Sequence, residues 1–195
     1  MNFLAHAYLS FDVPHLVVGN FLGDFLRQSE TLGLPAPIQE GIMLHRKIDT
    51  FTDNHPVVRS GTARMRPFHG KYAPVVVDMY FDYLLAVQWR TYHELPLPLF
   101  SNKIYGILES QLHVMPDRLK ERVPRMIAAD WLSSYGTEEG MLFAFDRMQY
   151  RASRPEWFAN AFQNLLNHWQ PFLEDFEAFF PDLVSYVRGE IVGLE

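Results

Sequence analysis

Val75-Val-Val-Asp-Met-Tyr-Phe-Asp-Tyr-Leu-Leu85 carries two acids, Asp78 and Asp82, in a run whose only other polar groups are tyrosines. The run lacks strand-like alternation, so it reads as a buried helix, and the i,i+4 spacing puts both acids on one face. Working outward, Leu16-Val-Val-Gly-Asn-Phe-Leu-Gly-Asp-Phe-Leu26 has the same construction, with Asn20 and Asp24 one turn apart among apolar residues. A third segment, Gly41-Ile-Met-Leu-His-Arg-Lys-Ile-Asp-Thr-Phe-Thr-Asp53, sets His45, Asp49 and Asp53 along one side of a helix at successive i,i+4 steps. A buried, unpaired carboxylate is costly or is driven neutral, so acids in such surroundings meet a cation, a hydrogen-bond network or a metal. Together the three segments point to an all-helical metallohydrolase.

Helical periodicity dominates the rest of the chain, and no alternating strand pattern stands out, which predicts an all-α, multi-helix bundle. The 195 residues fit a single domain spanning 1–195. Helices are expected over about 3–10, 14–28, 38–52, 56–65, 74–92, 99–114, 117–135 and 138–150. An aromatic-rich C-terminal pair over 156–189 should follow, bent near Pro171 and Pro181. Gly33-Leu-Pro-Ala-Pro37, Asn54-His-Pro56 and Leu95-Pro-Leu-Pro98 supply the breaks, and Pro74 suits the first turn of the long apolar helix.

Composition narrows the chemistry. The 48% hydrophobic and 21% charged content, with sixteen Phe, nine Tyr and four Trp, describes a folded, aromatic-rich core. With no cysteine, thiolate zinc sites, disulfides and cysteine nucleophiles are excluded, and metal ligands must come from His, Asp, Glu or Asn. The N-terminal stretch has no basic region before its short apolar run, and no apolar run approaches the roughly 20 residues of a membrane span, so a cytoplasmic protein is expected. A net charge of -6 argues against nucleic-acid binding. Local charge differs: between Asn54 and Val77 there is no acid, while Arg59, Arg64, Arg66 and Lys71 are all present. Such a patch is either a solvated face or a docking surface for an acidic or phosphorylated partner.

The ligand candidates each have a structural alternative. His6 is a packed core histidine or a ligand; Asp24, flanked by Gly19 and Gly23, reads as functional because glycines weaken a helix and permit close approach. Asn20 is a ligand, a donor behind one, or a packing amide. His45 and Asp49 form an ordinary helix ion pair or reach a common metal, with Arg46 and Lys47 near enough along the chain to hold a phosphate oxygen. Asp53 is read as turn or capping chemistry. Hard oxygen donors with one or two imidazoles favour Mn²⁺ or Mg²⁺, with manganese first. The phosphate loop, the serine-hydrolase elbow and the His-Glu-x-x-His pair are all missing, which leaves metal-activated water.

Met1-Asn-Phe-Leu-Ala-His6, Gly19-Asn-Phe-Leu-Gly-Asp24, the stretch from Gly41 to Pro56, and Asp78-Met-Tyr-Phe-Asp-Tyr-Leu-Leu85 resemble the bacterial acyl carrier protein phosphodiesterase family. So does the late Met148-Gln-Tyr-Arg-Ala-Ser-Arg-Pro155, and the match covers essentially the whole chain. The resemblance implies hydrolysis of the phosphodiester joining 4′-phosphopantetheine to a serine of holo-acyl carrier protein, with Mn²⁺ as the favoured metal. It also implies an HD-domain-like fold, since the family is regarded as a distant relative of HD-domain phosphohydrolases. One departure stands out: the chain has no His-Asp doublet, and Gly23 occupies the place of the doublet histidine. By order along the chain, the resemblance makes His6, Asp24 and Asp78 metal ligands, with His45 supplying the missing nitrogen.

On this reading Asp24, His45, Arg46, Asp49 and Asp82 are catalytic: the metal site yields a hydroxide, Arg46, Lys47 or Arg27 neutralises the phosphoryl oxygens, and Asp49 or Asp82 orients a ligand or moves the proton. The partner is an acidic carrier protein, docking on Arg59, Arg64, Arg66 and Lys71, or on a second surface of Arg118, Lys120, Arg122 and Arg125. The rival readings are a small-nucleotide phosphohydrolase on the same site and a helical binding module whose acids pair with arginines. The sequence leaves the oligomeric state open.

Overall fold

The helix around Val75–Leu85 is the most thoroughly buried of the long helices before the C-terminal one, and the segments 3–8, 56–69 and 169–192 pack on it, in a computed structural model that describes residues 1–192. In chain order the helices are α1 (Phe3–Tyr8), α2 (Pro14–Gly23), α3 (Gln28–Thr31), α4 (Ala36–Asn54), α5 (Pro56–His69), α6 (Ala73–Val87) and α7 (Trp89–Tyr92). They continue as α8 (Leu97–Ser110), α9 (Asp117–Ala128), α10 (Trp131–Ser134), α11 (Glu138–Arg151), α12 (Ala161–Asn167) and α13 (Trp169–Val192). Short 3₁₀ turns occupy Gly70–Tyr72, Leu112–Val114 and Pro155–Phe158. Among the described residues there is no strand, so the fold is all-α, and no helix is long and apolar enough to cross a membrane.

Helix α6 is buried almost all round, through Val76, Val77, Met79, Tyr80, Phe81, Leu84 and Leu85. Against it α13 lays Phe172, Phe176, Phe179 and Phe180, and the Phe81 ring centroid lies 5.4 Å from Phe179 and 5.7 Å from Phe176. Each ring removed from water contributes about 1.5–3 kcal/mol. Pro14, Pro56 and Pro74 all sit in first turns, where the missing amide is not needed.

Several expected boundaries differ. Helix α2 ends at Gly23 instead of near Gln28, with Asp24 as its C-cap, so Asp24 is held at a helix end. The long apolar helix stops at Val87, and the segment expected over 117–135 is split at Asp130, whose φ is 44°. That left-handed turn is held by side-chain contacts the local pattern does not encode: Tyr105 donates its hydroxyl to Asp130 (2.7 Å) and accepts the Leu132 amide (2.8 Å). Pro171 falls in the first turn of α13 and Pro181 inside it, and neither ends the helix, because Phe179 and Phe180 before Pro181 and Leu183 and Val187 after it are all locked in the core.

His69 clamps the end of α5 to the 155–164 region. Its Nδ1 lies 2.7 Å from the Trp157 carbonyl oxygen and its Nε2 3.2 Å from the Asn164 amide nitrogen, so the neutral ring donates to the first and accepts from the second. Burial lowers its pKa from 6.5. The neutral form is favoured only in the folded protein, so this contribution is complete above pH 6.5 and is lost as the pH falls through the folded-state value. The denaturant midpoint of the parent should therefore fall as the pH is lowered below 6.5, and His69→Gln should be less stable at neutral pH with a flatter dependence. A separate check is Phe176→Ala, which should cost about 3–5 kcal/mol by chemical denaturation because the cavity forms in the fully buried α6–α13 seam.

Candidate active site

Helices α2 and α4 cross with almost no space between them. A Cβ built on Gly19 would lie 2.5 Å from the Gly41 Cα and 2.4 Å from the Ile38 carbonyl oxygen, so only glycine fits. One turn on along both helices, a Cβ on Gly23 would lie 2.3 Å from Cγ of His45. The position where the resemblance leaves a histidine missing is the space into which the His45 imidazole packs.

The helix α1 brings His6 to the same point, and its rings stack on His45 with centroids 4.2 Å apart. A buried relay fixes the His6 tautomer. Ser10 Oγ donates to the His6 carbonyl (2.8 Å), so it accepts from Asn20 Nδ2 (2.9 Å), and the Asn20 carbonyl oxygen is left facing His6 Nδ1 (2.9 Å). His6 Nδ1 therefore carries the proton, and Nε2 points away from the relay. That Nε2 lies 3.1 Å from Asp49 Oδ1, and His45 Nε2 lies 3.1 Å from Asp49 Oδ2.

Two imidazole nitrogens thus converge on one carboxylate. A bare nitrogen lone pair at this distance from a carboxylate oxygen is repulsive, so the cluster accommodates a proton or a cation between its members. Burial works to raise the Asp49 carboxyl, but hydrogen bonds from His45 and His6 hold it well below the usual carboxylate range. His6, His45 and Asp49 offer ligand atoms all within 4.8 Å of one another, and His45 Nδ1 is buried with no partner among the described residues. Two imidazoles and a carboxylate are a donor set that fits a divalent ion with positions left for water.

Asp49 opens onto a cleft of 680 Å³ whose walls also present Asp24, Asp53, Asp78, Lys71, Arg122 and Arg151. Asp24 reaches the cleft from the C-cap of α2, and the crowding of protein around it raises its pKa, against the pull of the His6 and His45 rings. On the opposite side Arg122 stacks over Phe25 at 4.8 Å; its pKa is lowered by burial and by the neighbouring Arg151 and Arg147. Acids and guanidiniums thus share one opening.

Not every expected residue converges. Asp78 lies on the cleft wall but outside the His6–His45–Asp49 cluster: its carboxylate takes the Met1 ammonium at 2.8 Å. Asp82 is fully buried and accepts the backbone amides of Asn2 (3.1 Å) and Leu4 (2.8 Å), so it acts by seating the start of α1, and burial pushes its pKa up to about 7. Asp53 faces the cleft instead of capping a turn, with its pKa raised by burial and by Asp78. Arg46, one residue and therefore about 100° round the helix from His45, is exposed and outside the cleft lining. Lys47 pairs with Glu190 on α13, and Arg27 is exposed at the start of α3.

Of the basic patch, Arg64 is half-buried and already paired within the fold. It pairs with Asp175 (2.7 Å) and lies 4.9 Å above the Phe172 ring, because its face of α5 packs on α13. Arg59 and Arg66 are exposed around a second hollow that shares Asp53 and Asp78 with the cleft. Lys71 lines the cleft and donates to Ser153 (2.8 Å). Sequence reasoning missed Ser10 and Arg151 as site residues and placed Arg122 only on a docking surface; a polar residue in an apolar turn was the one signal for Ser10.

An all-helical protein with a histidine–aspartate cluster beside a cleft lined by both acids and cations is the class that fold and site define. The family model for acyl carrier protein phosphodiesterase matches residues 1–183, and the chain belongs to that family. It is 29% identical over 191 residues to the acyl carrier protein phosphodiesterase of Enterobacter sp. (strain 638), covering 97% of this chain and 99% of that protein. It is 27% identical over 191 residues to that of Photorhabdus laumondii, covering 97% and 96%, and 28% identical over 186 residues to that of Salmonella newport, covering 95% and 96%. No solved structure matches the chain.

Gly23→Ala should displace the His45 ring while leaving the helical circular dichroism intact. Mn²⁺ affinity, measured by calorimetry, should fall about 10–100-fold, the range for misoriented ligands; unchanged affinity would remove His45 from the ligand set.

Proposed function

We propose that the protein is a metal-dependent phosphodiesterase of the cytoplasm that hydrolyses the bond between 4′-phosphopantetheine and a serine of holo-acyl carrier protein, releasing the apo-carrier and free 4′-phosphopantetheine. The observation that carries this reading is the His6–His45–Asp49 cluster opening onto a cleft that also holds Lys71, Arg122 and Arg151. A cation site beside an anion-binding wall is what a phosphodiester requires.

A divalent ion held by His6, His45 and Asp49, Mn²⁺ first and Mg²⁺ next, would supply the Lewis acidity that acidifies water and offsets phosphoryl charge. Asp24 takes the proton as water attacks phosphorus, and its upward-shifted pKa makes it a better base than an ordinary aspartate. Arg122, Arg151 and Lys71 neutralise the phosphoryl oxygens. The new bond is phosphorus to water oxygen, the broken bond is phosphorus to serine oxygen, and the serine leaves with the proton that Asp24 returns. Asn20 keeps His6 in the tautomer that presents Nε2, and Asp82 keeps α1 in register.

Because the family's carrier substrate is acidic, the exposed Arg59 and Arg66 beside the cleft form the docking patch of this reading. Reversing both to Glu should raise KM for holo-carrier and weaken its salt dependence, as rim charges act through encounter; an unchanged KM would make them solvated surface.

The central test is mass spectrometry of holo-carrier, following loss of phosphopantetheine. Asp24→Ala should lower kcat by about 10²–10⁴ with Mn²⁺ content retained, as for loss of a general base. Asp49→Ala should lose metal and turnover together. Metal loss in the Asp24 variant alone would reverse the two roles.

A further inference from the structure

Beside the cleft, between α10 and α11, and apart from the hollow around Arg59 and Arg66, runs a further hollow of 450 Å³. Its lining includes Trp131, Tyr135, Phe143, Ala144 and Arg147, a mostly apolar surface with a few polar groups of the kind that orients an elongated small molecule. The reaction as described places no group there. We propose that this hollow binds the pantetheine arm of the substrate, a flexible chain of two amides, a hydroxyl and a geminal dimethyl group that leaves attached to the phosphate. The assignment rests on the phosphodiesterase reading above.

The hollow and the cleft share no lining residue, but three contacts tie their walls together. Arg147 on its wall and Arg151 in the cleft are one turn apart on α11, about 6 Å along the helix axis, and both bear on Arg122. Tyr135 forms part of the hollow's wall, and its phenol, raised in pKa by burial, is raised further by the charges of Asp82 and Asp24 across that wall. Trp131 packs edge-on to Phe3 at 6.3 Å, and Phe3 lines the cleft. A phosphate held by Arg122 and Arg151 therefore has its organic substituent beside this opening.

The chemistry of the lining matches the arm. Phe143 is 63% exposed and Ala144 leaves space beside it, giving apolar surface for the dimethyl and methylene groups. The Trp131 ring adds a further apolar face to the same wall. Ser134 and Thr137 border the same hollow. A bare phosphate would use none of these groups.

The test compares binding of 4′-phosphopantetheine with that of methyl phosphate, each measured as an inhibitor of bis(p-nitrophenyl) phosphate hydrolysis by the Mn²⁺-loaded protein. In the parent, 4′-phosphopantetheine should inhibit at least tenfold more tightly. Ala144→Phe, which fills the hollow, should erase that advantage, and Phe143→Ala, at an exposed position that folding does not depend on, should reduce it. Equal inhibition by the two phosphates in the parent, or an advantage that survives both variants, overturns the proposal. So does a result in which the variants spare 4′-phosphopantetheine and weaken only its long-chain acyl thioester, because the hollow would then take the acyl chain. Failure of the parent to act on holo-carrier is a separate outcome that defeats the functional reading, and the comparison of the two phosphates does not depend on it.

Discussion

Everything at the site depends on the contact between Gly19 on α2 and Gly41 on α4. Helices carrying ordinary side chains pack about 8–10 Å apart, and a Cβ at Gly19 would already sit 2.5 Å from the Gly41 Cα. Each helical glycine costs about 0.5–1 kcal/mol against alanine, so the close approach is maintained against local preference. Its effect is to lower the floor beneath His45, so that the ring occupies the space left by Gly23 and stacks on His6. Widening this crossing by one methyl group would separate the two imidazoles that meet at Asp49.

Three acids at and around the site meet three different kinds of partner. Asp49 is met by two imidazoles and stays ionised; Asp82 is met by two backbone amides and is driven upward by burial; Asp78 is met by an ammonium. Only the first leaves nitrogen donors and a carboxylate converging on a point beside open space. The chemical distinction among these acids therefore follows from the partner each reaches, since Asp78 and Asp82 sit on the same apolar helix and still differ.

Helix α11 supplies a cation to each of two openings. Arg151 lines the cleft, Arg147 borders the adjoining hollow, and Arg122 from α9 lies under the influence of both. Clustered guanidiniums repel one another, and an anionic ligand relieves that repulsion. By contrast Arg64, which lies in the most basic stretch of the chain, is consumed by Asp175 and Phe172. Of the cations in that stretch Lys71 alone lines the cleft, which takes its two guanidiniums, Arg122 and Arg151, from helices elsewhere in the chain.

The sequence by itself determined the helical class, the burial of α6, and the common face of His45 and Asp49, because helical periodicity and i,i+4 geometry are local. It also marked Asp24 and Asn20 as out of place in an apolar segment. Only the tertiary structure decided that His6 meets Asp49, that Gly23 makes room for His45, that Asp78 turns to the chain's first residue, and that Arg151 faces the cleft. The breaks at Val87 and Asp130 belong with these, since Asp130 holds its turn through Tyr105 on another helix. The physical reason is the same throughout: periodicity specifies which face of a helix is buried, and the partner waiting on that face is set by packing between segments far apart in the chain.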